Sequence, residues 1–181
     1  LSMKKALKII GSILRLLVAF ILIAGIFIAK SYDFETNIAI NAPKEKVWQY
    51  VGSLHGMEKW NPFIEGDHNI QISFEGQDST VGAIYRWKGN KEVGSGSQTI
   101  SKIDPPNRID THLHFIEPFE GEADAYLKLS GEGNVTSVAW GFDTRYKYPM
   151  NVMLLFINMD KMMGESYNKG LAKLKQLSEA G

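Results

Sequence analysis

Residues 108–131, RIDTHLHFIEPFEGEADAYLKLSG, decide the fold, because they contain two runs in which apolar and polar side chains alternate. Alternation at every second residue is the pattern of a β-strand that buries one face. The buried side of the first run extends from Ile109 to Phe115, and that of the second from Ala123 to Leu129. This stretch therefore predicts an antiparallel sheet that is covered on one face and open to water on the other.

Further strands are predicted before and after this stretch. Similar alternation or β-rich composition occurs at residues 33–41, 69–75, 82–88, 92–103 and 135–145. Together with turn residues at regular spacing, these segments indicate a sheet of about seven strands. The glycines of the 92–103 segment indicate a bend, because glycine inside a strand often marks a bulge or a sharp change of direction.

Helical signals occur on both sides of the strands. Two short helices are predicted at residues 42–52 and 53–60, the first with Pro43 at its first helical position. A long C-terminal helix is predicted over residues 150–178, where it would cover the sheet. Its apolar residues recur at helical spacing and are Met150, Met153, Leu154, Ile157, Tyr167, Leu171, Leu174 and Leu177. The predicted fold class is therefore α+β.

An apolar segment precedes the sheet, IIGSILRLLVAFILIAGIFIA at residues 9–29. As a helix it would be about 31 Å long, close to the ~30 Å of a bilayer's hydrocarbon core. We interpret residues 1–30 as an N-terminal transmembrane anchor and residues 31–181 as the folded domain. A cleaved signal peptide and a buried core helix are the alternatives, although Phe27 at position −3 makes a poor cleavage site after Ala29.

The charges are distributed unevenly along the chain. The 181 residues include 20 basic and 20 acidic side chains, but residues 1–30 carry five basic residues and no acidic one. Lys4, Lys5 and Lys8 precede the apolar segment, which predicts a cytoplasmic N-terminus and an extracytoplasmic domain. The remainder has 15 basic against 20 acidic residues, so nucleic acid is not an expected partner.

Several local motifs, in their order along the chain, resemble the SRPBCC superfamily, the START-like or polyketide-cyclase-like helix-grip proteins. The motifs are INAPKEKVWQYV at 40–51, EKWNPF at 58–63, VGAIYRWKGN at 81–90, GSGSQTISKIDPPNRI at 94–109, HFIEPFEGEA at 114–123, TSVAWGF at 136–142 and GLAKLKQLSE at 170–179. The resemblance covers about residues 33–179. It implies a curved antiparallel sheet that grips the C-terminal helix, with an apolar cavity between them. It implies no fixed set of catalytic residues.

Few residues are candidates for catalysis or for metal binding. The chain has no cysteine, and the alternation places His112 and His114 on the polar face without a third ligand, so no metal site, cofactor or catalytic set is predicted. His55 precedes Trp60 near the expected cavity mouth, where a structural role is favoured. The Gly94–Ser97 run is followed by a strand and not by a helix, which argues against a phosphate loop. Carboxylates available to an enzyme are Glu58, Glu92, Glu117 and Glu122.

Large aromatic side chains on the predicted inner face are the main candidates for a binding site. The predicted ligand-binding residues are Trp60, Tyr85, Trp87, Phe115 and Trp140, with Met153 and Ile157 of the C-terminal helix above them. Inward aromatic residues also pack ordinary cores, so both interpretations stay open. The methionines between residues 150 and 163 favour a site that adapts to irregular apolar shapes.

Three functions follow from these features. The first is a membrane-tethered binding module for a small hydrophobic or amphipathic, lipid-like ligand. The second is a cyclase/dehydratase-type enzyme that acts on a hydrophobic substrate in the same cavity, using cavity carboxylates or Tyr85. The third is a partner-binding domain without ligand, as in the co-chaperone members of the superfamily. The apolar inner face favours the first and argues against an enzyme.

Overall fold

The structure, a computed structural model, describes residues 3–180. Residues 1 and 2 of the predicted anchor and residue 181 of the predicted domain lie outside the described residues. The helices are α1 (Met3–Phe27), α2 (Lys44–Val51), α3 (Leu54–Glu58) and α4 (Met159–Glu179), with short 3-10 helices at Pro62–Ile64 and Met150–Leu155. The strands are β1 (Ser31–Ile40), β2 (Gln71–Glu75), β3 (Ile84–Lys88), β4 (Ser95–Asp104), β5 (Arg108–Glu117), β6 (Gly121–Ser130) and β7 (Thr136–Arg145).

The seven strands form one sheet in the order β1-β7-β6-β5-β4-β3-β2. Strands β2 to β7 are antiparallel neighbours in chain order, and β1 returns to the edge beside β7. The register of β4 on β5 shifts at Ser95/Gly96 and again between Ile100 and Lys102. Such bulges bend a strand and increase its twist, which is how an antiparallel sheet becomes curved. The predicted fold class, with about seven strands and a C-terminal helix, is confirmed.

The inner face of the sheet and the helices share one hydrophobic core. Its fully buried members include Ile100 and Ile109 of the sheet, Val47 of α2, and Leu171 and Leu174 of α4. Leu171 and Leu174 lie three residues apart on α4, so they fall on one face of the helix. This packing fixes the side of the sheet on which α4 lies, and with it the location of any internal site.

The outer face of the sheet is polar and internally paired. Arg108 forms an ion pair with Asp110 at 2.7 Å and lies over the ring of Tyr126. The Tyr126 hydroxyl donates a hydrogen bond to Glu35 across the sheet. Gly141 makes this possible, because a Cβ there would lie 2.2 Å from the Tyr126 ring. These contacts join side chains of three strands on the outer face.

The chain divides into two compact units. One contains residues 33–144 and 160–180, which are the sheet and α2 to α4. The other contains residues 3–32 and 145–159, which are α1, the start of β1 and the 3-10 helix Met150–Leu155. Among residues 3–180, α1 is the one helix long and apolar enough to cross a membrane. Helices near an N-terminus with this length and composition include both membrane spans and signal sequences.

The C-terminal helix is shorter than the sequence predicts. It begins at Met159 and not at Met150, because residues 150–155 form a separate 3-10 helix. Asn158 directly precedes α4, and asparagine is among the residues favoured before the first turn of a helix. The apolar spacing of residues 150–157 therefore belongs to a different element, one that packs within the unit of α1.

Candidate functional site

Three of the predicted ligand-binding aromatic residues form a continuous group on the inner face. The rings of Tyr85 and Trp87 are stacked with their centroids 5.9 Å apart, and Trp87 meets Phe115 edge to face at 6.0 Å. Phe74 extends the group, with its ring 5.4 Å from that of Tyr85. A Cβ at Gly96 would lie 2.6 Å from the Trp87 ring, so the glycine lets this indole lie flat on β4.

The other two predicted aromatic residues form a second group with α4. Trp60 meets Trp140 edge to face at 4.9 Å, and Trp140 stacks on Tyr167 with their ring centroids 3.8 Å apart. The Trp60 side chain is 2% exposed, and its indole N–H donates to the backbone oxygen of Tyr50 at 2.9 Å. Trp60 therefore has the burial and the hydrogen bond expected of a core residue.

Small side chains lie next to the first group on the inner face of β6. In sheet order, β6 lies between β5 and β7, and Phe115 of β5 is opposite Gly121, whereas Trp140 of β7 is opposite Leu127. The inner face of β6 presents Gly121, Ala123 and Ala125 opposite Phe115, Leu113 and Thr111 of β5. We call Gly121, Ala123 and Ala125 the small-residue strip. The side chains of the strip are short and buried, and Ala123 and Ala125 are 3% and 7% exposed.

Polar groups are also present on this face, although the sequence predicts it to be almost wholly apolar. Tyr85 is 3% exposed, and its buried hydroxyl has no hydrogen-bond partner among the described residues. Burial raises the pKa of this hydroxyl well above its ordinary value, and the negative charge of Glu58 raises it further. The hydroxyl is therefore neutral at physiological pH and keeps its proton available for donation.

A second polar pair lies beside Tyr85. Gln98 is the direct neighbour of Tyr85 across β3 and β4, and its amide donates to the Thr111 hydroxyl at 3.0 Å. Thr111 is buried, and its hydroxyl lies 3.5 Å from the backbone oxygen of Ala125. Sequence alternation does not show that Gln98 and Thr111 bond to each other.

The histidines lie outside this group of polar residues. His55 pairs with Asp78 at 2.7 Å and stacks on Phe74, which is a structural arrangement at the start of α3. His112 and His114 lie on the outer face, where their closest acidic neighbours are Asp124 at 2.9 Å and Glu120 at 3.9 Å. Within the part of the chain that the structure describes, no group of three or more His, Asp or Glu side chains is arranged to hold a metal ion.

Met153 and Ile157 belong to a different element from the one predicted. Met153 lies in the 3-10 helix Met150–Leu155, and Ile157 follows it before α4 begins. Both belong to the compact unit that contains α1, whereas the five aromatic residues belong to the unit of the sheet. The buried side chains of α4, which belongs to the unit of the sheet, include Met163 and Tyr167 instead. Tyr167 has the same helical spacing in the sequence as the predicted core residues, but the spacing alone does not predict its stacking on Trp140.

A curved antiparallel sheet packed on a C-terminal helix, with aromatic residues on the inner face, defines the class of helix-grip proteins. The family model for polyketide cyclase / dehydrase and lipid transport proteins matches residues 31–179. The chain belongs to this family, and the predicted SRPBCC membership is confirmed. The architecture and the family match together support the assignment of this chain to a fold that binds hydrophobic ligands.

Solved structures share the fold at low sequence identity. A protein of Chromobacterium violaceum is 14% identical and has a TM-score of 0.60, with 82% of this chain and 98% of that chain covered. Ara h 8.0201 is 14% identical with a TM-score of 0.55, covering 82% of this chain and 95% of that chain. The Aha1 dimer of Colwellia psychrerythraea is 17% identical with a TM-score of 0.54, covering 83% of this chain and 98% of that chain. Among curated proteins, none matches this sequence.

Proposed function

We propose that this protein is a membrane-tethered binding module for a small hydrophobic or amphipathic ligand, held on the inner face of the sheet under α4. The family description includes lipid transport, and the resemblance to helix-grip proteins implies an apolar cavity between the sheet and the helix. The observation that carries the proposal is the Tyr85 hydroxyl on the inner face, which is buried, neutral and without a partner among the described residues. A buried hydroxyl without a partner costs about 1–3 kcal/mol, and a ligand that accepts its proton would remove that cost.

The charge near Tyr85 favours a neutral ligand. Glu58 lies close enough for its charge to act on the Tyr85 hydroxyl, and a ligand carboxylate bound there would experience the same repulsion. An alcohol, ester or ketone would accept from Tyr85 without that penalty. The proposed ligand is therefore an amphipath with one neutral polar end and an apolar body that lies along Ala123 and Ala125.

The proposal is tested by titrating the full chain in detergent with a matched pair of fluorescent probes, parinaryl alcohol and parinaric acid. Energy transfer from the neighbouring tryptophans reports binding. We expect saturable binding of the alcohol and weaker binding of the acid. Tyr85→Phe should weaken alcohol binding about fivefold, the equivalent of one hydrogen bond of ~1 kcal/mol, while leaving the fold as stable or more so.

Two variants of β6 locate the site. Ala125→Phe adds a ring on the small-residue strip and should abolish binding of the alcohol. Lys128→Phe adds the same ring on the exposed outer face of the same strand and should leave binding unchanged. Thermal unfolding of each variant checks that it is folded. Unchanged binding in both Ala125→Phe and Tyr85→Phe would place the probe elsewhere, and the absence of saturable binding would contradict a ligand-binding role.

A cyclase/dehydratase-type enzyme is the second candidate. The observation that favours it is a proton-donating Tyr85, buried on the inner face, whose pKa is raised by burial and by the negative charge of Glu58. An enzyme of this type would return a cyclised or dehydrated product, whereas a carrier would return its ligand unchanged. Mass spectrometry of the lipids that copurify with the wild type, Tyr85→Phe and Glu58→Gln separates the two, because only an enzyme would accumulate unconverted substrate in the variants.

The membrane tether is the remaining part of the proposal. The 25 residues of α1 give a helix of about 37 Å, enough to cross a bilayer. We propose residues 1–30 as a single-pass anchor and residues 31–181 as the tethered domain, with the N-terminus in the cytoplasm. Retention of the full chain in the membrane fraction after alkaline carbonate extraction would support an uncleaved anchor, and release of a shorter chain would indicate a cleaved signal.

A further inference from the structure

Residues 146–157 pack against the C-terminal end of α1. The side-chain amide of Asn151 donates to the backbone oxygens of Gly25 at 2.7 Å and Ile28 at 3.2 Å. The Tyr148 hydroxyl donates to the backbone oxygen of Leu22 at 3.1 Å, about one turn earlier in the helix. This segment therefore follows the last two turns of α1.

The packing is close and leaves no room for a side chain on the helix. A Cβ at Gly25 would lie 2.7 Å from a methyl group of Val152 and 3.2 Å from the Tyr148 ring. Val152 and Asn151 are both buried. Gly25 thus marks the point at which residues 146–157 contact α1, whereas a Cβ at Gly11, the other glycine of this helix, would have nothing within 4 Å.

The contacts supply hydrogen-bond donors to backbone carbonyl groups at the C-terminal end of α1. The last four carbonyl groups of a helix have no partner within it, and unpaired carbonyls are costly at the edge of the hydrocarbon region. Asn151 supplies two donated hydrogen bonds there, and it is fully buried while doing so. The hydrogen bonds from Asn151 and Tyr148 suit a bilayer boundary, because water is less available to replace them there.

The rest of the segment is apolar and exposed. Phe156 is 75% exposed and Leu155 is 58% exposed, and both follow directly on the residues that contact α1. Tyr148, Met150 and Ile157 are also exposed, as are Ile26 and Phe27 of the helix. Exposed apolar side chains therefore occur on both elements, next in sequence to the residues that join them, as is expected of a surface that contacts lipid and not water.

The charges next to these apolar side chains have a single sign. Residues 145–157 include Arg145 and Lys147 and no acidic residue. The backbone of Tyr146 donates to the Lys30 backbone oxygen at 2.8 Å, which brings a third basic residue, at the exit of α1, to the same place. Basic side chains beside exposed aromatic and aliphatic residues are typical of segments that bind anionic membrane surfaces.

We propose that residues 146–157 are a membrane-contact segment, with Leu155 and Phe156 inserted between lipid headgroups and with Lys30, Arg145 and Lys147 facing the phosphates. The inference rests on the proposed membrane insertion of α1, because the segment is bound to the end of that helix. The chain then meets the bilayer at two places, which are the span itself and the surface element at residues 146–157. The segment holds the exit of α1 at the depth of the headgroups.

Single-cysteine labelling tests this proposal, because the chain contains no cysteine of its own. The full chain is reconstituted into vesicles of phosphatidylcholine and phosphatidylglycerol with one cysteine at position 156, 20 or 135, each carrying an environment-sensitive fluorophore. Phe20 reports insertion of α1, and Val135, an exposed apolar residue in the turn before β7, is the matched control. Quenchers attached to the lipid headgroup, to the mid-chain of the lipid or dissolved in water locate each label.

We expect the label at 156 to be quenched several-fold more by headgroup quenchers than the label at 135, and the label at 20 to be quenched most by mid-chain quenchers. A label at 156 that responds to aqueous quencher like the label at 135, with the label at 20 in lipid, would overturn the contact segment and leave the anchor intact. A label at 20 in water would overturn the anchor. A label at 156 that no quencher reaches would indicate a protein partner or a second copy of the chain and also overturn the lipid assignment.

Discussion

The indole ring of Trp140 lies nearly parallel to the phenol ring of Tyr167, with the ring centroids 3.8 Å apart and the planes inclined by 21°. Trp140 belongs to β7 and Tyr167 to α4, so this pair joins the sheet to the helix. Gly170 follows almost one turn later, and a Cβ there would lie 2.9 Å from the Trp140 ring and 3.0 Å from Pro62. The helix therefore approaches Trp140 closely at a position that has no side chain.

Gly170→Ala should destabilise the protein, although alanine is the better helix former. The added methyl group contacts a ring held by Tyr167 and Trp60, so we expect a net loss of about 1–3 kcal/mol. Gly164→Ala is the matched control on the same helix, where the nearest atom, on the Phe34 ring, is 3.8 Å from the added Cβ. That variant should gain up to ~1 kcal/mol. Urea unfolding of the full chain in detergent measures both, and stabilisation by both variants would show that Trp140 can move aside.

The strands could be predicted from the sequence because the sheet has one buried and one polar face. The run from Ile109 to Phe115 alternates without interruption with polar neighbours, and the structure has β5 over this run as Arg108–Glu117. The sequence pattern predicts a start for β4 at residue 92, three residues before the observed start at Ser95. Residues 90–94 form a turn, in which the Asn90 side chain accepts from the backbone N–H of Glu92 and Val93. Side-chain bonds of this kind compete with strand pairing and leave no periodic signal.

The candidate site was predicted only in part, because residue type does not determine which polar groups meet. The inward positions of Tyr85, Trp87 and Phe115 follow from alternation. The Tyr85 hydroxyl has no partner among the described residues, while the Gln98 amide bonds to Thr111, and the tertiary structure decides both. Likewise, the apolar spacing of residues 150–157 is the same whether the segment continues α4 or binds α1, so the sequence could not distinguish the two.

Asp78→Asn should destabilise the protein at neutral pH and much less in acid. Burial raises the pKa of Asp78, but hydrogen bonds from His55 and from the backbone N–H groups of Leu54, His55 and Ser79 outweigh it, and the net pKa lies below the ordinary 3.8. A carboxyl group with a lowered folded-state pKa contributes stability above its unfolded pKa and loses it as the pH falls through the folded value. We expect a loss of about 1–3 kcal/mol at pH 7.

Thermal unfolding of the wild type and Asp78→Asn as a function of pH measures this effect. The difference between the two melting temperatures should stay constant well above pH 3.8 and shrink below it. Asp124→Asn, which loses a single hydrogen bond with His112 on the exposed outer face, is the control and should have little effect at neutral pH. A difference in melting temperature that stays constant down to the lowest pH measured would mean that Asp78 stabilises the fold through its shape and not through its charge.

The orientation of the chain in the membrane can be read with two further single-cysteine variants. Leu7→Cys lies before the apolar part of α1, and Val135→Cys lies in the sheet domain. With a cytoplasmic N-terminus, a membrane-impermeant maleimide should label the cysteine at 135 in intact cells and the cysteine at 7 only after permeabilisation. The reverse pattern would place the domain in the cytoplasm, and labelling of both in intact cells would argue against a span.

Removing residues 1–30 should leave the sheet domain folded but expose residues 146–157. The core of β1 to β7 and α4 has its own buried residues, such as Ile109 and Leu171, so its stability should not depend on α1. Asn151 and Val152, by contrast, lose the backbone and the glycine surface that they contact in the full chain. We expect residues 31–181 to keep a cooperative thermal transition and a native-like near-ultraviolet circular dichroism spectrum, and to be cleaved by protease first between residues 145 and 159.

The full chain in detergent is the control and should resist cleavage between residues 145 and 159. If the truncated chain is instead molten throughout, the sheet domain requires α1 for folding and residues 1–30 are not a separable anchor.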